Sequence, residues 1–224
     1  MSDIRTRAII LRRTNYAEAD RILQLLTPEG RKTAIAKGVR REKSKLAGGI
    51  ELFATSDVVI HKGKGDMGIL TSARLVHFYR HILEDYDRLQ FGYEVLKQVA
   101  RASDTIDEPE WYTTVSQVLA GLNVSTLPRQ LIETWFYLHF AILLGHELSL
   151  RHDVNGEQLD AEKCYMYDVS ERGLREHPHG ELRADHIKFL RLLSAKPLAV
   201  VAQVGGITDI LADCWLVARQ HAAM

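Results

Sequence analysis

Near residue 79 the chain changes its hydrophobic rhythm, and that change limits the architectures open to it. Before it, short runs rich in Ile, Val, Leu and Thr recur at 7–13, 21–26, 31–37, 52–61 and 69–78, separated by Gly and polar clusters. Runs of this kind read as β-strands. After it, Ile82, Tyr86, Leu89, Tyr93, Leu96 and Ala100 recur at four-three spacing, the mark of an amphipathic helix over 80–103. Five short strands ahead of a helical region suit a small barrel of the oligonucleotide-binding (OB) type, which offers one face and its loops to nucleic acid. The expected class is α+β: an N-terminal five-stranded OB-fold barrel over 1–79, then an α-helical domain over 80–224.

Within the second part, a helix is expected over 108–121 with Pro109 in its first turn. A third helix has Ser125 or Thr126 as its cap and Pro128 at its first position. Its residues Leu131, Ile132, Trp135, Phe136, Leu138, Phe140, Ile142, Leu143 and Leu144 are apolar nearly all round, so it should be the buried pillar of that domain. Residues 146–183 turn polar and irregular, with a strand expected at 164–167, and helices resume at 185–193 and 207–221. The composition, 46% hydrophobic and 26% charged, is that of a chain able to bury a core in water. No apolar run approaches the roughly 18 residues of a membrane span. The start of the chain lacks the pattern of a secretory leader. Two cysteines fifty positions apart, Cys164 and Cys214, form no disulfide framework, which fits a reducing, cytoplasmic setting.

Charge is distributed unevenly. The formal net charge is zero, yet residues 1–80 hold 16 basic and 8 acidic side chains and the remainder 13 and 21. Residues 30–45 concentrate Arg31, Lys32, Lys37, Arg40, Arg41, Lys43 and Lys45 against the single acid Glu42. Like charges gathered this way repel one another unless an oppositely charged partner uses them, and nucleic acid is such a partner. Gly38 lets the chain turn out of the third strand, so that 40–45 form a loop at the barrel rim. Cations that track phosphates without reading base edges give affinity with little sequence preference. The plainer reading is a solvated charged surface.

Arg12 and Arg13 form a second-ranked pair, of which only one can share the outward face with Arg5 or Arg7 because strand side chains alternate. Tyr16 can stack on a base or pack on its own barrel. Glu18 and Asp20 are read as structural, with Asp20 bonding loop amides or Arg21, since carboxylates repel phosphate unless a cation bridges them.

Several other signals are weaker. Residues 63–68 satisfy G-x-G-x-x-G by letter, but a strand pattern comes next where the dinucleotide fingerprint needs a helix. No G-x-x-x-x-G-K-[ST] loop occurs. Ser149, His152 and Asp153 are near neighbours without a nucleophile elbow. Asp160, Asp168 and Asp185 are the acids a Mg²⁺-dependent nuclease would need. His139 and Cys214 are read as packed core residues. No enzymatic activity is expected; the rival readings are an RNA-binding OB protein and a metal-dependent nuclease.

The N-terminal motifs resemble the RecO family of bacterial recombination mediators. Ala8-Ile9-Ile10-Leu11-Arg12 precedes Glu18, Asp20 and Ile22, similar to the family's Glu-x-Asp-x-Ile signature. Ala36-Lys37-Gly38-Val39-Arg40-Arg41, with Ser44 and then Glu51-Leu52-Phe53, is the most specific part. Trp135-Phe136 and Leu143-Leu144-Gly145 look like the family's central helix and its glycine terminus. The resemblance implies binding of single- and double-stranded DNA, annealing of complementary strands, and loading of RecA, with RecR, onto strands coated by single-strand-binding protein (SSB) in recombinational repair of DNA damage. RecF is a further implied partner. So is the acidic C-terminal tail of SSB, for which Arg129 is a candidate rim residue on the second domain. A cytoplasmic, nucleoid-associated protein without a membrane segment is implied. Many members carry a four-cysteine zinc module after the Leu-Gly pair. Here His152, Asn155, His177 and His179 stand near those places, with Cys164 between, so 146–183 is expected to be a degenerate zinc-module-like insertion. No cofactor is expected, and His152, His177 and His179 are the alternative metal ligands.

Overall fold

The computed structural model describes residues 3–62, 65 and 67–223. Gly63, Lys64 and Asp66 of the glycine-rich motif lie outside the described residues. The chain continues from that motif into a strand, not a helix.

Alternation of apolar and polar side chains builds the barrel. Strands β1 (Asp3–Tyr16), β2 (Asp20–Thr27), β3 (Gly30–Ala36), β4 (Ala54–His61) and β5 (Gly68–Phe78) close in the order β1-β2-β3-β5-β4. Neighbours are antiparallel except for the short parallel β3–β5 pairing at Ala34/Gly68 and Ile35/Ile69. Every second residue points inward, and Ala8, Ile10, Leu23, Leu25, Ala34, Val58, Ile60 and Leu70 fill the interior. This is a five-stranded OB-fold barrel. The β1–β2 register shifts between Ile10 and Arg12, a bulge that reverses the sense of alternation in the second half of β1.

Past the barrel, a 3-10 turn (Arg80–Glu84) precedes α1 (Tyr86–Ala102), so the continuous helix expected from residue 80 is divided. Asp85 divides it: its backbone is extended and its carboxylate accepts from the Arg88 amide, which starts a new helix there. Helix α2 (Glu110–Leu122) comes next, and the guanidinium of buried Arg88 donates to the Leu122 carbonyl at its end, 3.0 Å away. Buried Phe53 meets α1 edge-on through Tyr93, ring centroids 4.9 Å apart, while Gly92 leaves room for its ring. The compact unit that contains the barrel extends beyond residue 79, over Met1–Asn123, and so includes α1 and α2.

The second unit, Val124–Met224, is built on α3 (Arg129–Leu143). Its run from Leu131 to Leu138 is buried without interruption, as an all-round apolar helix requires. Pro128 is its cap and not its first helical residue, because its ψ of 126° is extended. Among its apolar neighbours stands Glu133, 3% exposed, which accepts from Arg129 and from the indole of Trp215. Helices α4 (Ala184–Ala195), α5 (Leu198–Val201) and α6 (Thr208–Ala222) complete the helical part. His139 stacks on Trp135 and donates through Nε2 to the Leu193 carbonyl at 3.0 Å.

Residues 146–183 contain a hairpin that sequence patterning only half revealed. Strand β6 (Tyr165–Asp168) pairs with β7 (Gly173–Glu176). Asp168 accepts from the Ser170 hydroxyl at 2.6 Å, from the Glu171 amide and from Arg175 at 2.6 Å, and these bonds hold its carboxyl well below the usual carboxylate range. Among the described residues, no helix is long and apolar enough to cross a membrane.

Candidate nucleic-acid interface

Strand β3 ends at Ala36, and Gly38 at φ +62° turns the chain out of the sheet. The next segment, 37–45, is irregular but held. Asp20 Oδ1 accepts from the Gly38 amide at 2.7 Å, and the Arg40 amide donates to the Ala19 carbonyl at 2.9 Å. Val39 is buried in the barrel core, while the Arg41 and Ser44 amides donate back to Gly38 and Arg41. The β1–β2 turn thus holds one end of the loop and the core holds its middle. Lys37, Arg40, Arg41, Lys43 and Lys45 are all exposed, and none forms an ion pair with a described residue.

Two of the seven expected cations lie elsewhere. Arg31 donates to Asp104 at 2.6 Å with its side chain 26% exposed, and its amide donates to Asp107. Its charge is matched within its own unit. Lys32 folds back so that Nζ donates to the Glu29 and Arg31 carbonyls, each at 3.1 Å. The basic pair on β1 separates as well. Arg12, opposite Gln24, is exposed on the outer face, whereas Arg13, opposite Leu23, turns to Glu51 at 2.9 Å and the Ile50 carbonyl. The bulge gives Arg12 the same outward sense as Arg5 and Arg7. Arg7 and Arg74 bracket Asp57 at 3.3 and 3.1 Å; the hydrogen bond from Arg74, then that from Arg7, keeps its carboxyl below the ordinary value.

Beyond Arg12, the outer face of β1 carries exposed Thr14 and Tyr16, the latter 52% exposed at the strand's end. Ile22 on β2 and Ile35 on β3 lie opposite each other and are half-buried. Strands β2 and β3 and the β1–β2 loop are the surfaces through which OB barrels take oligonucleotides. Here the cationic loop borders that surface through Asp20 and Ala19. Lys97 and Arg101 on α1 are absent from the sequence-based set. Their i,i+4 spacing on one exposed helix face is the signal that reveals them.

In the second unit, Arg129 pairs with buried Glu133, with its own side chain 38% exposed. The residues expected to replace zinc cysteines do not fit a closed tetrahedral site. His152 is in a bridge with Gln158, the Asn155 side chain donates to Asp153, and the His177 and His179 rings stand 6.0 Å apart. No group of three or more His, Cys, Asp or Glu among the described residues is arranged to hold a metal. Asp160 accepts from the Glu162 amide, Asp168 closes the β6–β7 turn and Asp185 pairs with Lys188, so each has a local structural role. Ser149 donates to the His152 carbonyl, a turn contact and not a nucleophile–base pair.

Comparison with known proteins agrees with the N-terminal barrel. The family model "Recombination protein O N terminal" matches residues 1–79. The protein called DNA repair protein RecO from Dehalococcoides mccartyi is 32% identical over 158 residues, 70% of this chain and 62% of that protein. The protein of that name from Syntrophomonas wolfei is 28% identical over 67% of this chain and 60% of its own length. That from Chlorobium phaeobacteroides is 25% identical over 94% of this chain and 88% of its own. In the first two, the match spans only about three-fifths of the relative's length. The barrel, the family model over its length and relatives that share one name agree: residues 1–79 match the N-terminal domain of recombination protein O, and the chain is similar to DNA repair proteins RecO.

Proposed function

We propose that this protein is a recombination mediator that binds single- and double-stranded DNA through the loop 37–45 of its OB barrel and anneals complementary strands. With RecR, it helps load RecA onto SSB-coated strands during recombinational repair. The observation that carries the reading is the set of five exposed cations, Lys37, Arg40, Arg41, Lys43 and Lys45, without ion-pair partners among the described residues, on a loop anchored at Gly38 and Arg40. The reading needs no covalent chemistry. Cations set against the phosphates of two strands lower their mutual repulsion, and base pairing supplies the rest. The similarity to DNA repair proteins RecO supports the choice of DNA and of RecR, RecA and SSB as partners; RecF is a further candidate, and Arg129 remains the proposed rim residue for the SSB tail.

Each phosphate contact to a single strand contributes about −0.7 to the log-log dependence of affinity on salt, so five contacts give a slope of roughly −3.5. The Arg40→Ala/Arg41→Ala double variant is expected to lose about 1.4 of that slope and to anneal more slowly. Binding and annealing by that variant with an unchanged slope would sink the site assignment. Competition between matched DNA and RNA strands tests the sugar preference. Labelled DNA incubated with the protein and Mg²⁺ should stay intact.

A further inference from the structure

A cleft of about 410 Å³ lies between α1 and the outer face of β1 and β2. Arg12, Lys97 and Arg101 line it, and none of the three forms an ion pair with a described residue. The one carboxylate in its lining, Asp104, accepts from Arg31 and from Gln24, so its charge is already matched. Tyr93 stands at the same cleft, 45% exposed. Its ring is held edge-on by Phe53 at an interplanar angle of 70°, so its orientation is set before anything binds.

The cleft is also reached from the cationic loop along a single surface. Tyr16, Thr14 and Arg12 alternate outward along β1, and Tyr16 pairs with Asp20, the residue that holds the loop. Arg12 and Tyr16 are four positions apart along β1, roughly 13 Å at the rise of an extended chain. A volume of several hundred Å³ suits a small ligand unit such as a nucleotide. Unmatched cations beside a fixed aromatic ring form the combination that holds an unpaired nucleotide, phosphate on the charges and base on the ring.

We propose that the cleft formed by Arg12, Tyr93, Lys97 and Arg101 is a second binding subsite for the same single strand of nucleic acid, which runs from loop 37–45 across the outer face of β1 to α1. The proposal rests on the DNA-binding reading above and adds to it a path and a stacking residue. A strand long enough to span both ends engages both sets of cations, and a short one engages only one set.

The test uses the full chain and fluorescent oligothymidylates of about 6 and about 20 nucleotides, chosen to lie near the low end of and above the usual OB-fold site sizes. Lys97→Gln/Arg101→Gln is expected to lower the salt slope on the longer strand by about 1.4. Tyr93→Ala is expected to weaken that binding roughly five-fold or more, and Tyr93→Phe, which keeps the ring and its contact with Phe53, to match wild type. Thermal melts check that the variants are folded; if Tyr93→Ala is not, the Lys97/Arg101 variant still decides the matter. Should that variant keep wild-type affinity and slope while Arg40→Ala/Arg41→Ala loses them, the cleft is ordinary surface and only this inference falls. Failure of the wild-type protein to bind either strand overturns both readings together.

Discussion

Asp20 sets the position of the cationic loop, although it is itself an acid. Its oxygen receives the Gly38 amide at 2.7 Å, at the position where the chain leaves β3. Removal of the acceptor in Asp20→Ala should cost about 1–2 kcal/mol in urea unfolding, with Asp20→Asn costing less because an acceptor remains. The same substitution deletes a negative charge beside the loop, which by electrostatics alone would strengthen DNA binding. If loop order matters more, Asp20→Ala binds more weakly than wild type despite its added net charge; tighter binding would mean that the anchor is unimportant. Thiol chemistry offers a second residue-scale test. Cys214 is fully buried and its thiol is pushed up to about 12, chiefly by burial. A thiol reagent at neutral pH should therefore modify Cys164 in the native protein and reach Cys214 only after unfolding.

Among the elements, α1 depends on a close approach. A Cβ built on Gly92 would lie 2.8 Å from Phe53 Cε1, and Phe53 is 2% exposed with an unusual φ of 55°, so it has little room to yield. Gly92→Ala should lower stability by roughly 1–3 kcal/mol, read as a drop in the denaturant midpoint. An unchanged midpoint would show that Phe53 can rotate aside. The bulge in β1 is the other decisive local feature. Without it Arg12 would point inward beside Leu25 and Leu23, and the outer face would lose its cation next to α1.

At the scale of the whole molecule the two units answer differently to acid. In the second unit, burial lowers the pKa of both His139 and His221 below the ordinary imidazole value. His221 Nε2 lies 2.6 Å from the His146 carbonyl and Nδ1 3.0 Å from the Tyr167 hydroxyl, which ties the end of α6 to the hairpin β6–β7. A histidine kept neutral by the fold binds fewer protons than in the unfolded chain, so stability rises with pH across its titration. The stabilisation is complete above pH about 6.5 and is lost as pH falls from there through the lowered folded values. In the barrel unit, the lowered carboxyls Glu29 and Asp57 act in the same direction but at lower pH, below the ordinary carboxylate range. Hydrogen exchange at pH 5 compared with pH 7 should show protection falling first in α3 and α6 and only in stronger acid in β1 and β4. The reverse order would contradict the assignment.

The local pattern of the chain determined the strand positions, the barrel closure they imply, the buried character of α3 and the concentration of cations between residues 30 and 45. Period-two and period-3.6 burial depends on neighbours a few residues away, so it is readable along the chain. Only the tertiary structure decided which cations are available. Arg31 meets Asp104 across 73 positions of sequence, Arg13 meets Glu51 across 38, and no periodicity marks such pairs in advance. The same holds for α1 and α2, which share a compact unit with the barrel, and for the β6–β7 hairpin, whose short second strand depends on the Asp168 turn and Arg175. Contacts between distant residues depend on how surfaces meet, and one register shift of a single residue in β1 was enough to place Arg12 outside and Arg13 within.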